Sequence, residues 1–417
     1  MNNEFKSQLQ QREFQKLKDQ RLVLLKWATG CGKSKMAIDL INHWVDPLVS
    51  GKMKHRVLFV VAERAHINNW QDEFDKWQLK KANVCTDVCC YASLHKYKDF
   101  LYDIIVLDEC HHAFSPKRYA YIEEMGQLNS GTCRVALLSA TLPGGKQDMI
   151  EEVFGKFTVS TVTLKDAIQG DILPDPKVYV VAMELDDKRV SQEIRANKAD
   201  DKAPIVSWDK RMKYLAKKQP CIIRCTEKQK YIYYTDIMEY WKQRYERSKN
   251  QFQHNLWVNT GSVRKRFLGE LKTDAVYGLI SRLTSLKKRF VCFCASVNQA
   301  DSFSMIGTIS SKKSAKYNQK IIDGFNQKKL NQIYAVGMIT EGMNLTGIQM
   351  GIIVQLDGKE RLFVQKFGRS MRAEDPVSFI FYYKDTQDEN YLRTALENID
   401  AKYVQHININ QLKTIKL

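Results

Sequence analysis

Residues 22–34 read LVLLKWATGCGKS, and this stretch decides the fold of the amino-terminal part of the chain. The apolar run over 22–25 predicts a buried strand, and the apolar residues of 36–41 recur at helical spacing. Gly30 and Gly32 lie between them and allow a tight turn. Strand, glycine turn and helix together form a cradle whose backbone N–H groups and helix N-terminus attract an anion.

The residues of this turn favour a nucleoside triphosphate as the anion. Lys33 can reach the outer phosphates, and Ser34 can hold Mg²⁺. One position departs from the general phosphate-loop pattern, which has glycine where this chain has Trp27. We predict that ATP and Mg²⁺ bind here, and the expected cofactor-binding residues of the loop are Thr29, Gly30, Cys31, Gly32, Lys33 and Ser34.

The composition indicates a globular protein with a polyanionic partner. The chain has 417 residues, of which 44% are hydrophobic, and this length suits two domains with an insertion. Its formal net charge of +18 favours nucleic acid or an anionic membrane surface. We expect no membrane partner, because no apolar stretch approaches the roughly 20 residues that span a bilayer. Nucleic acid is therefore the expected partner.

The first residues, MNNE, lack the basic start and apolar run of a signal peptide. We therefore expect a cytoplasmic protein, of a bacterium or, if it is viral, of the infected host. The ten cysteines never form two Cys-x2-Cys pairs at the separation of a zinc finger. We interpret these cysteines as reduced, small hydrophobic residues. The expected oligomeric state is a monomer.

Buried strands alternate with helical segments through about residue 160. Apolar runs predict strands at 56–61, 84–91, 103–107 and 134–138. This alternation is typical of a parallel sheet with helices on both faces. Trp70, Phe74 and Trp77 recur at helical spacing and are interpreted as core side chains rather than as stacking partners of bases.

An acidic pair, Asp108 and Glu109, directly follows the predicted strand 103–107. The carboxyl ends of parallel strands are where such sheets bind ligands. We expect Asp108 to hold Mg²⁺ and Glu109 to orient or deprotonate the water that attacks the γ-phosphate, since hydrolysis needs charge compensation and an aligned nucleophile. The alternative is an acidic strand end capped by the next helix.

Residues 4–20 are rich in glutamine and predict a short surface helix before the first strand. A glutamine in this helix can reach the edge of an adenine, and we expect Gln11 to make that contact.

Three segments, in order, resemble motifs I, II and III of the superfamily 2 helicases and translocases. They are ATGCGKS at 28–34, DECH at 108–111 and SAT at 139–141. With His112, the second segment resembles the DExHH branch, which includes motor subunits of type I restriction enzymes and phage branch-migration helicases. The resemblance implies two RecA-like domains with ATP bound between them.

The carboxyl-terminal half resembles the remaining motifs. Residues 164–176 resemble the connection between the two motor domains, 291–296 motif IV, 336–345 motif V and 365–372 motif VI. The resemblance implies that Gln365 contacts the γ-phosphate or the water, and that Arg369 and Arg372 stabilise transition-state charge when the cleft closes. Glu341 and Asn344 are expected at the ribose or beside the arginines.

Residues 187–262 form a basic insertion in which cations interleave with tyrosines. Such a segment can contact a nucleic-acid strand through its charges and rings, or it can be a solvated helical hairpin whose aromatic residues pack together. The sequence leaves both interpretations open. The residues expected at the nucleic acid are Arg64, Ser93, Thr340, Arg264, Lys265 and Arg266.

We therefore predict an α/β protein with two RecA-like parallel-sheet domains and a mostly helical basic insertion in the second. The first domain spans 1–163, the linker 164–177 and the second domain 178–417. The expected activity is ATP hydrolysis coupled to movement along nucleic acid, with DNA favoured over RNA. Alternatives are an ATP-dependent RNA helicase, a phosphotransferase with the same phosphate loop, and a non-catalytic binding module. The expected catalytic residues are Lys33, Asp108, Glu109, Gln365, Arg369 and Arg372.

Overall fold

The structure is a computed structural model that describes residues 3–129, 131–196, 221–304, 306–337, 345–356, 367, 375–397 and 399–416. Within these ranges the chain forms two separate parallel sheets, with helices between successive strands. The predicted α/β class with two RecA-like sheets is confirmed. No helix of the described ranges is long and apolar enough to cross a membrane.

The first sheet has six strands, all paired in parallel. The strands are β1 (Leu22–Trp27), β2 (His55–Val61), β3 (Val84–Cys90), β4 (Ile104–Leu107), β5 (Arg134–Ser139) and β6 (Thr158–Val162). They lie in the order β3-β2-β4-β5-β1-β6, so β5 lies between β4 and β1. The four strands predicted after β1 are all present.

Helices cover both faces of this sheet. Successive residues of each strand point to opposite sides, so both faces carry apolar side chains that the helices bury. Leu25 packs into the core cluster on one face and Leu24 into the cluster on the other. Both side chains are fully buried. The helices of this half are α1 (Asn3–Leu17), α2 (Lys33–Trp44), α3 (Pro47–Ser50), α4 (Ala65–Lys76), α5 (Pro116–Leu128) and α6 (Gly144–Phe154), with 3-10 turns at Lys81–Asn83, Tyr91–Lys96 and Cys110–Phe114.

A short helix, α7 (Leu164–Gln169), begins the connection to the second sheet. Thr163 and Asp166 form a reciprocal capping box at its N-terminus. The helix ends before Pro174 and Pro176, and the residue before a proline disfavours helical backbone. The proposed domain boundaries at 163 and 178 remain predictions.

The second sheet has seven parallel strands. They are β7 (Lys177–Met183), β10 (Phe290–Phe293), β11 (Thr308–Ser310), β12 (Gln332–Val336), β13 (Met350–Ile353), β14 (Val377–Tyr383) and β15 (Val404–Asn408), in the order β11-β12-β10-β13-β14-β7-β15. Strands β8 (Gln192–Ala196) and β9 (Cys221–Cys225) form a separate antiparallel pair.

The described residues of the insertion, 187–196 and 221–262, are mostly helical, as predicted. Helices α8 (Glu227–Ser248) and α9 (Gln251–Leu271) pack against each other as a hairpin. The remaining helices are α10 (Thr273–Ser285), α11 (Val297–Phe303), α12 (Ala315–Asn326), α13 (Gln387–Leu396) and α14 (Ile409–Thr414), with a 3-10 turn at Ala401–Tyr403.

The last part of the chain contains more structure than its sequence suggests. The apolar run 377–383 forms a strand and a helix ends this part, and helix α13 and strand β15 lie between them. Strand β15 reads VQHIN and is mostly exposed at the end of the sheet, where it pairs with β7. An exposed end strand needs few apolar residues, so its hydrophobic pattern is weak.

Candidate active site

The first sheet brings three predicted motifs to the carboxyl ends of adjacent strands. The phosphate loop follows β1, Asp108 and Glu109 follow β4, and Ser139 ends β5 between them. Because the strands are parallel, all three segments lie along the same edge of the sheet. Motifs far apart in sequence are thus neighbours at one candidate site.

The phosphate loop has the backbone of an anion cradle. Gly30 and Gly32 adopt φ angles of 97° and 95°, in the left-handed region that disfavours side chains. A Cβ atom on Gly32 would lie 2.1 Å from Nε2 of Gln10. Lys33 Nζ donates to the carbonyl oxygen of Trp27, 2.9 Å away, so its ammonium lies folded over the end of β1.

Cys31 contributes to this loop only through its backbone. Its side chain is fully buried in the core, and burial raises the pKa of the thiol to about 11. Thr29, Gly30, Gly32 and Ser34 are half-buried and line the open side of the loop.

Trp27, the departure from the general phosphate-loop pattern, is part of a buried hydrogen-bond chain. Its side chain is 0% exposed, and the indole N–H donates to Ser160 Oγ at 2.8 Å. Ser160 in turn donates to Glu13 Oε2 at 2.9 Å. Burial would raise the pKa of Glu13, but hydrogen bonds from Lys16, Ser160 and Arg12 outweigh it and lower that pKa. Trp27 therefore ties β1 to β6 and α1.

Helix α1 rests directly on the phosphate loop. Lys6 Nζ donates to the carbonyl oxygen of Gly30 at 2.7 Å, and Gln10 Nε2 donates to that of Cys31 at 3.0 Å. The sequence analysis did not select either residue. Helical spacing puts 6 and 10 on one face of α1, which is the signal that identifies them together.

Gln11, the predicted adenine contact, is exposed beside this face and lines a cavity of about 450 Å³ between α1 and α2. Gln10, Phe14 and Lys35 also line this cavity. Because Lys35 directly follows Ser34, the cavity begins next to the phosphate loop.

Asp108 is held in place by two donors. The indole N–H of Trp70 donates to Oδ2 at 2.9 Å, and the backbone N–H of Glu109 donates to Oδ1 at 3.0 Å. Burial and the neighbouring Glu109 carboxylate raise the pKa of Asp108 to about 6. Trp70 was predicted only as a core residue, and it is both buried and a partner of the acidic pair.

Glu109 is strained and incompletely bonded. Its φ of 45° and ψ of 53° lie in the left-handed region, at the start of the turn Cys110–Phe114. Oε2 is buried without a hydrogen-bond partner, 3.4 Å from His111 Nδ1. His111 Nδ1 also lies 3.3 Å from Ser139 Oγ, which links the acidic pair to the SAT segment. A carboxylate in this state can accept a proton or a hydrogen bond from a ligand.

Two family matches cover separate parts of the chain. Residues 2–93 match the type III restriction enzyme, res subunit family, and residues 271–374 match the helicase conserved C-terminal domain family. Comparison with curated protein sequences finds no match.

Solved helicase structures share the fold of nearly the whole chain. A variant of S. cerevisiae Dbp5 bound to RNA and ADP BeF3 gives a TM-score of 0.61 at 11% identity, covering 98% of this chain and 91% of that chain. The Pyrococcus furiosus Hef helicase domain gives 0.54 at 13% identity, covering 93% of this chain and 98% of that chain. The two family matches support helicase domains at these positions, and the solved structures show that the chain shares the helicase fold.

Two of the residues predicted at the nucleic acid lie at the carboxyl ends of first-sheet strands. Arg64 is exposed before α4, just after β2. Ser93 is half-buried after β3, and its Oγ donates to the carbonyl oxygen of Cys90 at 3.1 Å. Of the two, Arg64 has the exposed, charged side chain that a contact with a phosphate requires.

The prediction for Arg264 is wrong. Its side chain is 5% exposed, and its guanidinium donates to Thr235 Oγ1 at 3.1 Å and to Gln387 Oε1 at 2.7 Å. These bonds join α8, α9 and α13, so the charge is used inside the helicase fold and does not face a strand. Lys265 is half-buried and Arg266 is exposed.

Six other predicted residues lie outside the described ranges. They are Gln365, Arg369, Arg372, Glu341, Asn344 and Thr340.

Proposed function

We propose that this chain is a DNA helicase or translocase of the DExHH branch, in which ATP hydrolysis moves the protein along its track. The neighbouring phosphate loop and acidic pair support ATP hydrolysis, and the order of the motifs supports the branch. The observation that best supports this activity is the state of the Glu109 side chain. Its Oε2 atom is buried and has no hydrogen-bond partner, and Glu109 directly follows Asp108. In this proposal Glu109 accepts the proton of the water that attacks the γ-phosphate.

The donor set of the site fits Mg²⁺, which prefers carboxylate and hydroxyl oxygens and phosphate. Asp108 and Ser34 would hold the ion, and Mg²⁺ would supply compensation for the charge of the phosphates. Trp70 orients the Asp108 carboxylate toward this role. The Lys33 ammonium leaves the Trp27 carbonyl and pairs with the outer phosphates.

The cavity between α1 and α2 is the proposed nucleobase pocket. It begins beside the phosphate loop, and the Gln10 and Gln11 amides at its wall offer both donors and acceptors to a purine edge. Gln365, Arg369 and Arg372 remain the proposed partners from the second half of the chain, with Glu341 and Asn344 beside them.

DNA is the proposed track because the DECHH segment at 108–112 resembles DNA motors. The Dbp5 structure contains RNA, which keeps an RNA helicase as the second candidate. The deciding measurement is the ATPase rate with single-stranded DNA, duplex DNA, forked DNA and RNA at one fixed salt concentration, since affinity for polyanions depends steeply on salt. Stimulation by RNA alone contradicts the DNA proposal.

Glu109→Gln tests the hydrolytic mechanism. We expect ATP binding to persist and turnover to fall about 10²- to 10⁴-fold, because the amide cannot accept the proton. Equilibrium binding of ATP and steady-state phosphate release measure the two effects separately. Glu123→Gln on the exposed face of α5 is the matched control and should leave both unchanged. Undiminished phosphate release in Glu109→Gln would rule out this role.

A further inference from the structure

The α8–α9 hairpin projects from the second sheet as an arm. Each helix exceeds 20 residues, which corresponds to about 30 Å of length. All residues from 238 to 263 are described, and none of them is buried. Tyr240 and Trp241 still pack against the small core cluster of Ile194 and Cys225, and beyond them Tyr245 packs on Trp257 of the other helix. We call residues 240–257 the arm tip.

The base of the arm is fixed rigidly to the carboxyl edge of the second sheet. Lys272, at the end of α9, is 0% exposed and donates to the carbonyl oxygens of Val354 and Phe381, both at 2.8 Å. Its ammonium also lies 2.6 Å from Asp388 Oδ2. Tyr231 Oη accepts a hydrogen bond from the backbone N–H of Gln387. A tip on such a base has a defined position relative to the sheet.

The arm tip carries charge of one dominant sign. Between 242 and 252 it has four cations and a single carboxylate, Glu246. The cations are Lys242, Arg244, Arg247 and Lys249. Arg244 and Arg247 are both exposed, and their spacing of three residues puts them on one face of α8. A polyanion complements this surface.

The aromatic residues of the tip divide into two groups. Tyr245 and Trp257 stack on each other with ring centroids 5.9 Å apart, and Tyr240 packs edge-on against Trp241 at 5.0 Å. The first pair packs across the hairpin, whereas Tyr240 and Trp241 are neighbours within α8. Phe252 differs from them because 67% of its side chain is exposed at the start of α9. An exposed ring next to cations is suited to stack on an unpaired base.

We propose that the arm tip binds single-stranded nucleic acid, with Arg244 and Arg247 on phosphates and Phe252 stacked on a base. This inference rests on the proposed function as a nucleic-acid motor. The nucleic-acid contact is thus proposed at the arm tip and not at the base of the arm, where Arg264 is buried. A single strand fits better than a duplex, since a stacking ring needs a base that is not already stacked on both sides.

The test measures the affinity of the full chain for a fluorescein-labelled single-stranded oligodeoxynucleotide, and for RNA of the same sequence, at several salt concentrations. Removing two phosphate contacts with Arg244→Gln/Arg247→Gln should reduce the slope of log K against log salt by about 1.4. Lys316→Gln/Lys320→Gln, which removes two exposed charges from α12, is the matched control and should keep the wild-type slope.

Phe252→Ala should weaken the same complex about tenfold with little change in salt slope, because stacking carries no charge. Leu48→Ala, at another highly exposed apolar residue, is its control. ATP turnover without nucleic acid should match the wild type in every arm variant.

The outcomes separate this inference from the function on which it rests. If the wild type binds the oligonucleotide and both tip variants bind it equally well, the arm inference is overturned and the motor proposal stands. If the wild type binds neither DNA nor RNA, the proposed function fails and the arm inference fails with it. A reduced slope in Lys316→Gln/Lys320→Gln equal to that of the tip variant also overturns it, since the effect would then be nonspecific.

Discussion

Buried charged groups at the carboxyl edges of the two sheets differ in how completely they are hydrogen-bonded. At the first edge, the Asp108 and Glu109 carboxylates lie side by side, and one oxygen of Glu109 has no hydrogen-bond partner. At the second edge, the Lys272 ammonium has two carbonyls and the Asp388 carboxylate within hydrogen-bonding distance. Three acceptors match the three N–H groups of the lysine.

This difference in hydrogen bonding indicates a different role for each edge. Unsatisfied polar groups and backbone strain cost stability, and they persist where a ligand or a reaction uses them. A fully paired buried charge has nothing left to offer a ligand, and its effect is to fix neighbouring elements in place. We interpret the first edge as reactive and the second, at Lys272, as structural.

The largest effect on stability is expected from Lys272→Met. The substitution leaves the Asp388 carboxylate buried without its cation and should lower the free energy of unfolding by about 3–5 kcal/mol. Chemical denaturation monitored by circular dichroism measures the loss. Lys384→Met removes an exposed ion pair with Glu184 that solvent screens, and it should leave the free energy of unfolding nearly unchanged.

The double variant Lys272→Met/Asp388→Asn should recover much of that loss, because it removes both charges together. If Lys272→Met unfolds no more easily than Lys384→Met, the second edge is not held by this pair and the comparison fails.

An intermediate effect is expected from Glu13→Gln, which breaks the charged end of the Trp27–Ser160–Glu13 chain. It should lower stability at pH 7 by about 1–3 kcal/mol, because hydrogen bonds to a charged group are lost. Since the folded state lowers the pKa of Glu13, the wild type holds this advantage above the ordinary pKa of glutamate, 4.5, and loses it as the pH falls through the lowered value.

Denaturation of Glu13→Gln and wild type across this pH range tests the sign. Glu4→Gln, at an exposed position of the same helix, is the control and should show a smaller difference. A gap between wild type and Glu13→Gln that widens toward low pH contradicts the assignment.

The smallest effect concerns the strain at Glu109. Glycine tolerates a φ of 45°, whereas alanine does not, so Glu109→Gly should be more stable than Glu109→Ala by about 1 kcal/mol. Both variants should lose turnover equally, because both lack the carboxylate. Denaturation midpoints compare the two, and equal midpoints would show that the first edge stores no backbone strain at this residue.

Most of the fold can be predicted from the sequence, because strands that are buried in a parallel sheet consist of continuous apolar residues. The predicted strands at 22–25, 56–61 and 134–138 are all present. Strand β15 escaped notice, since pairing with β7 through backbone groups requires no apolar pattern. The helical insertion followed from its composition, whereas the packing of Tyr245 on Trp257 depends on two helices meeting.

The candidate site divides in the same way. The glycine turn and the acidic pair are local patterns, so the sequence alone suffices to propose Lys33 and Asp108 as site residues. Lys6 and Gln10 reach the loop only because α1 folds back over it, more than 20 residues away in the chain. Arg264 was misassigned because a buried arginine and a phosphate-binding arginine look alike in sequence.

The sequence by itself determined the strand, turn and helix around 22–34, the residue types of the proposed phosphate loop and the charge that favours a polyanion. These properties depend on local spacing and on residue type. The tertiary structure alone decided that Trp27 is a buried hydrogen-bond donor, that one oxygen of Glu109 is buried without a hydrogen bond and that Lys272 holds the base of the arm to the second sheet. Each of these depends on which distant groups surround a side chain, and only packing sets that.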